Sequence, residues 1–171
     1  MKRLVMILSL VLGLGFVFNC RQAEESAPEA AENIEVEKAA VRNIVHRYIE
    51  ALENRSMEDL AGIFAQDDDT VLLDGNDSRR FVGWEAIETR YREHFSFYER
   101  LEVKIRDLRI QVHSSGEVSW LACVLDWDYV FQGRAVAARG LRASWVLRKR
   151  NGDWRLVQAH FSFAKVPEER K

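Results

Sequence analysis

At 171 residues, 47% hydrophobic and 11% aromatic, the chain has the length and apolar content for one packed domain. Its net charge of -2, with 30% charged residues of both signs, describes an ordinary soluble surface and excludes a basic stripe for nucleic acid.

Lys2 and Arg3 precede an apolar run from Leu4 to Phe18. At roughly 15 residues this run is shorter than the ~20 of a spanning helix and has the length of a signal-peptide core. Cys20 follows at once. The stretch resembles a bacterial lipoprotein signal, whose cysteine becomes the lipid-bearing first residue of the mature chain. Val17 suits the position three before the cysteine, while Phe18 and Asn19 are larger than the usual residues there; a plain signal peptide and an uncleaved anchor are the alternatives. The resemblance implies a protein held by lipid in the bacterial cell envelope, on its periplasmic or extracellular side. With Cys20 lipidated, Cys123 has no partner in the chain and reads as a small buried hydrophobe, a Cys20–Cys123 bridge being the alternative.

Residues 1–20 are therefore read as the signal segment and residues 21–37, "RQAEESAPEAAENIEVE", as a flexible linker or a frayed extension of the next helix. Residues 38–166 make the domain. Val41, Ile44, Val45, Tyr48, Ile49 and Leu52 recur at helical spacing, predicting a helix over 36–54. Ser56, with Asp59 three residues on, opens a second helix whose buried face is Leu60, Ile63 and Phe64. "DDDT" ends it as a turn and lacks the spacing of a calcium loop. Short strands follow at Thr70–Leu73 and Phe81–Val82, then a helix marked by Trp84, Ile87, Tyr91, Phe95 and Tyr98. From there the period changes to two. Four strands are predicted at Leu101–His113, Val118–Phe131, Ala135–Arg148 and Trp154–Ala164, separated by "SSGE", "QG" and "RNGD". Connections this short require antiparallel neighbours. The fold class is α+β.

This order, with "VHRYIEALENRSMEDLAGIFAQDDDTVLLDG", "FVGWEAIETRY" and "WVLRKRNGDWRLVQAHFS", resembles the SnoaL-like branch of the NTF2-like superfamily over roughly Val41 to Ala164. The resemblance implies a cone in which a curved antiparallel sheet wraps the N-terminal helices and any ligand sits inside. It does not imply a function, since the superfamily includes isomerases, dehydratases, binding proteins and assembly domains.

Similarity to the ketosteroid isomerases within that superfamily places Val157, Ala159, Phe161 and Phe163 inside, and Trp154, Leu156, Gln158, His160 and Ser162 on the back face. His160 and Ser162 are then interfacial rather than catalytic. The same similarity puts Tyr48 where those enzymes carry an oxyanion tyrosine, and Asp74 one residue from their general base, with Leu73 in the base position and Ala143 or a neighbour in place of a second acid. On apolar count, Trp145 rather than Ser144 is the pocket residue of its strand.

Asp126 and Asp128 share one face of their strand. Facing inward with Trp120 and Val124 they make an acid/base pair or a cation site; otherwise they pair with Arg139 or Arg142. Leu121, Cys123, Leu125, Trp127 and Tyr129, with Trp154 and Leu156, are expected to form an apolar back face that a homodimer would cover.

The resulting expectation is an envelope-tethered module binding a small, largely apolar molecule among Tyr48, Trp120, Asp126, Asp128, Trp145 and Phe161. Its alternatives are an enzyme moving protons with Tyr48, Asp74 and Asp126, and a dimeric assembly domain without ligand. No cofactor and no metal is implied. An enzyme requires a carboxylate on an open pocket within reach of a donor, a binding module only apolar walls, an assembly domain a cone filled by its own side chains. Metabolic labelling with a fatty-acid analogue should mark the wild-type chain and not Cys20→Ser; labelling of both contradicts lipidation at Cys20.

Overall fold

The computed structural model describes residues 27–163 except residue 76, with side chains from residue 32 onward. The apolar N-terminal run and Cys20 lie outside the described residues, among which no helix is long and apolar enough to cross a membrane.

Helix α1 (Ala27–Glu53) begins well before the expected Val36, so the proposed linker is helical from Ala27 on. Its Ala- and Glu-rich sequence favours helix intrinsically, and the body of the domain holds it. Trp154 Nε1 donates to Glu37 at 2.7 Å, and Lys149 pairs with the same carboxylate. Helix α2 (Met57–Ile63) starts as its sequence predicts: Ser56 Oγ accepts the Asp59 amide hydrogen at 3.2 Å. A short hairpin, β1 (Val71–Leu73) and β2 (Arg80–Val82), leads into α3 (Trp84–Phe97). Four long strands follow, β3 (Arg100–Val112), β4 (Val118–Phe131), β5 (Arg134–Arg150) and β6 (Asp153–Ser162).

They form one six-stranded sheet in the order β2-β1-β6-β5-β4-β3. Neighbours are antiparallel except β1 and β6, which run parallel, so the sheet is mixed rather than wholly antiparallel. The core lies between its concave side and the helices, where Val41, Val45, Tyr48 and Leu52 of α1 meet Leu121, Leu125, Trp145 and Leu147.

The faces of β6 differ from the expectation. Asn151 and Gly152 both have positive φ and make a two-residue turn, pairing Arg150 with Asp153. The register then shifts: Leu147 faces Leu156, but Val146 faces Gln158, leaving Val157 as an extra residue. This bulge resets the alternation. Trp154 and Leu156 before it are buried, and so are Ala159 and Phe161 after it. Trp154 and Leu156 thus belong to the core, not the back face.

Strand β4 is reversed as a whole. Leu121, Cys123 and Leu125 are buried in the core, with Trp127 and Tyr129 packed against it. Trp120 stands 48% exposed on the convex side. The uniformly apolar set takes the core because that is where its burial gains most; the proposed dimer patch is therefore interior. On β5 the apolar set Leu141, Ala143, Trp145 and Leu147 is buried, with Trp145 1% exposed.

These placements separate two tryptophans. Trp145→Ala should cost about 3–5 kcal/mol in denaturant unfolding, and Trp120→Ala should stay within about 0.5 kcal/mol of the wild type. Equal costs would contradict the assignment of faces.

Candidate active site

The cone is packed at one end and open at the other. In the packed part, the Tyr48 ring meets Trp145 edge-on with centroids 4.6 Å apart, and lies nearly parallel to Phe161 at 6.3 Å. The Tyr48 and Tyr91 hydroxyls are 2.7 Å apart. Burial pushes both phenols well above the ordinary tyrosine range, so both stay protonated at neutral pH. One hydroxyl donates to the other, and the second hydrogen of the pair remains for an acceptor in the cavity.

Asp74 follows directly on β1, on the inward side with Leu72, and is 8% exposed. Arg90 Nε donates to Asp74 Oδ2 at 2.7 Å, and His94 Nε2 lies 2.9 Å from the same oxygen. Arg90 and His94 stand one turn apart on α3, which aims both at one carboxylate. Burial works against the Arg90 charge, but the hydrogen bond and charge of Asp74, with the contributions of Glu93 and Asp77, together more than offset this, and the guanidinium is held charged above its usual range. Glu93 accepts a further Arg90 hydrogen bond at 3.1 Å. Next to this fixed cation Asp74 is an acceptor. Nε2 is the His94 ring nitrogen that approaches this carboxylate, so Nδ1 is the one turned away from it.

Two cavities meet at this cluster. A small niche of about 20 Å³ is lined by Tyr48, Leu72, Asp74, Tyr91, His94, Trp127, Leu141 and Phe161. A larger cavity of about 490 Å³ opens outward, lined by Asp77, Arg90, His94, Ala138 and Leu141 and walled by Phe97, Tyr98, Trp127, Tyr129, Phe131 and Phe163. Arg79 hydrogen bonds hold the Asp77 carboxyl down to about 2.

Of the residues singled out from the sequence, Tyr48, Asp74 and Phe161 come together on the niche. Trp145 sits behind Tyr48 in the core. Trp120 is on the convex face, away from both cavities. Asp126 accepts from Arg106 Nε at 2.9 Å and from the Gly140 amide at 2.8 Å, which keep its carboxyl below the usual range. Asp128 pairs with Arg139. Both carboxylates are thus engaged on the convex side, because β4 turns its apolar set inward. His94, Tyr91 and Arg90 are the residues that sequence reasoning missed. Their spacing on one helix was legible; that α3 lays this face against the end of β1 was not.

Residues 41–165 match the family described as the SnoaL-like domain. The chain belongs to the SnoaL-like family. No curated protein matches it in sequence. Among solved structures, this SnoaL-like chain is similar to an NTF2-like superfamily protein of Salmonella enterica (TM-score 0.71, 18% identity, 78% of this chain and 95% of that one). It is also similar to a proposed dehydratase of the NTF2-like family from Streptomyces avermitilis (0.70, 15%, 77% and 99%). A third likeness is to a proposed scytalone dehydratase from Novosphingobium aromaticivorans (0.66, 15%, 77% and 86%). At these identities the likeness establishes the NTF2-like fold.

The tyrosine pair gives the SnoaL-like domain a defined alkaline limit. Folded-state values raised above the ordinary 10.0 mean a stabilisation that is whole below that pH and is lost as pH rises through the folded values. The melting temperature should fall from about pH 10 upward, and less steeply in Tyr48→Phe/Tyr91→Phe. Parallel profiles for the two proteins would contradict this.

Proposed function

We propose that this SnoaL-like domain is an acid–base catalyst acting on a small, largely apolar molecule, moving a proton at a carbon next to a carbonyl. The observation that carries the reading is the His94–Asp74 contact of 2.9 Å on the wall of an open cavity, beside a pair of neutral buried phenols. Apolar walls alone would suit a binding module, and a filled cone an assembly domain. A carboxylate-steadied imidazole facing a cavity suits proton transfer.

The chemistry follows from the geometry. His94 Nδ1 takes the proton from carbon, and the C–H electron pair moves onto the carbonyl, giving an enolate. Asp74 steadies the imidazolium that forms, and the Arg90 hydrogen bond holds Asp74 in place. The free hydrogen of the Tyr48–Tyr91 pair bonds the enolate oxygen as its charge grows. The imidazolium then returns its proton, either to another carbon, which is an isomerisation, or to a departing β-hydroxyl, which is a dehydration. Neighbouring structures described as proposed dehydratases fit the second outcome. The lipid anchor at Cys20 belongs to the same reading, as does a homodimer, now through the convex face where Trp120, Val124 and Val146 share one side of the sheet.

2-Tetralone, a bicyclic ketone with acidic hydrogens beside its carbonyl, tests the proposal. In D2O the wild-type protein should speed deuterium uptake at those carbons, read by proton NMR. His94→Gln and Asp74→Asn should lower the protein-dependent rate by about 10²–10⁴-fold, and Trp120→Ala should leave it unchanged. Exchange no faster than in buffer, or undiminished in His94→Gln, refutes the reading.

A further inference from the structure

The two cavities differ greatly in size and share a wall. The niche at Asp74 and Tyr91 holds about 20 Å³, room for a single water-sized group, whereas the outer cavity holds about 490 Å³. Trp127, Leu141 and His94 line both, so these three side chains form the boundary. Trp127 is the largest of them. Its indole Nε1 is buried without a hydrogen-bond partner among the described residues, an arrangement that costs free energy. The charges around the outer cavity are engaged with one another: Arg90 bonds Asp74 and Glu93, and Arg79 bonds Asp77. Two guanidiniums thus meet three carboxylates, and among the described residues of this group no cation is left over to call for an anionic ligand.

We infer that Trp127 is a specificity-determining residue that sorts ligands by the size of their polar head. The ligand class is an uncharged, ring-bodied molecule with one bare oxygen, a hydroxyl or a carbonyl. The ring lies against the outer aromatic walls, and the oxygen alone passes Trp127 into the niche, where Tyr91 and His94 meet it. An oxygen bearing even one methyl group is too large for the niche. This inference rests on the acid–base reading for the identity of the niche, but the sorting is a matter of volume and is measurable without turnover.

The test compares binding of 2-naphthol and 2-methoxynaphthalene, followed by naphthyl fluorescence. These probes share a ring body and differ by one methyl on the oxygen. Wild-type protein should bind 2-naphthol about tenfold or more tighter, the scale of discrimination that one carbon group provides. In Trp127→Leu, which opens the wall, the preference should shrink to about twofold or less; Trp127→Phe, a milder change, should give an intermediate preference if the leucine variant does not fold. His113→Gln, at the turn after β3 and away from both cavities, should keep the wild-type preference. Failure of 2-naphthol to bind, equal binding of the two probes by the wild type, or a full preference in a folded Trp127 variant overturns the inference. Preference in the wild type, together with undiminished 2-tetralone exchange in His94→Gln, supports the sorting wall while refuting the catalytic reading.

Discussion

A sheet that wraps its own helices must keep one face apolar along the whole length of every strand, and β5 runs for 17 residues. Strict alternation serves a flat strand, but a strongly curved sheet cannot hold one register from end to end. Three bulges meet the constraint. The register shifts near Asp107 on β3, near Gly140 on β5 and at Val157 on β6. Each adds a residue to one strand, bends it and resets its parity. Gly140 suits its place because its φ of 75° lies where a side chain would be strained. Without the β6 bulge, either Trp154 and Leu156 or Ala159 and Phe161 would face water.

The inward face so preserved does two kinds of work. Over the narrow part of the cone it packs against α1 through Tyr48, Trp145 and Phe161, a contact dense enough to leave only the small niche. Towards the mouth, the same alternation delivers Trp127, Tyr129 and Phe131 to an open cavity that Arg90, His94 and Phe97 of α3 also line. The candidate site lies at the junction. Asp74 falls just beyond the end of β1, where the strand's inward parity continues but its ladder does not, so its carboxylate is served by Arg90 and His94 of α3.

A carboxylate buried to this degree is a poor investment for stability alone. Desolvating it costs several kcal/mol, and its partners recover that only through close geometry. Placed at a cavity wall beside an imidazole and two neutral phenols, the same arrangement suits the proposed proton transfer. The carboxylates on the convex face differ in kind. Asp126 and Asp128 meet arginines in the presence of solvent, where an ion pair contributes little to stability and carries no directed chemistry.

The sequence by itself determined the elements: helical spacing in α1 and α3, the Ser56 cap, the turn residues between the long strands, and the SnoaL-like order of parts. It also determined that Trp145 belongs to the apolar side of β5. These are local properties, set by side-chain periodicity and by the backbone preferences of a few residues. Tyr48, Asp74 and Phe161 were marked by the resemblance to the ketosteroid isomerases rather than by periodicity. Which side of β4 and β6 faces inward was decided only by tertiary structure, because a single extra residue reverses parity and a bulge leaves no periodic signature. The cluster at the candidate site is non-local in the same sense. Asp74 meets Arg90 and His94 only once α3 has folded back over the end of β1, and that docking is fixed by the shape of the core rather than by any spacing along the chain.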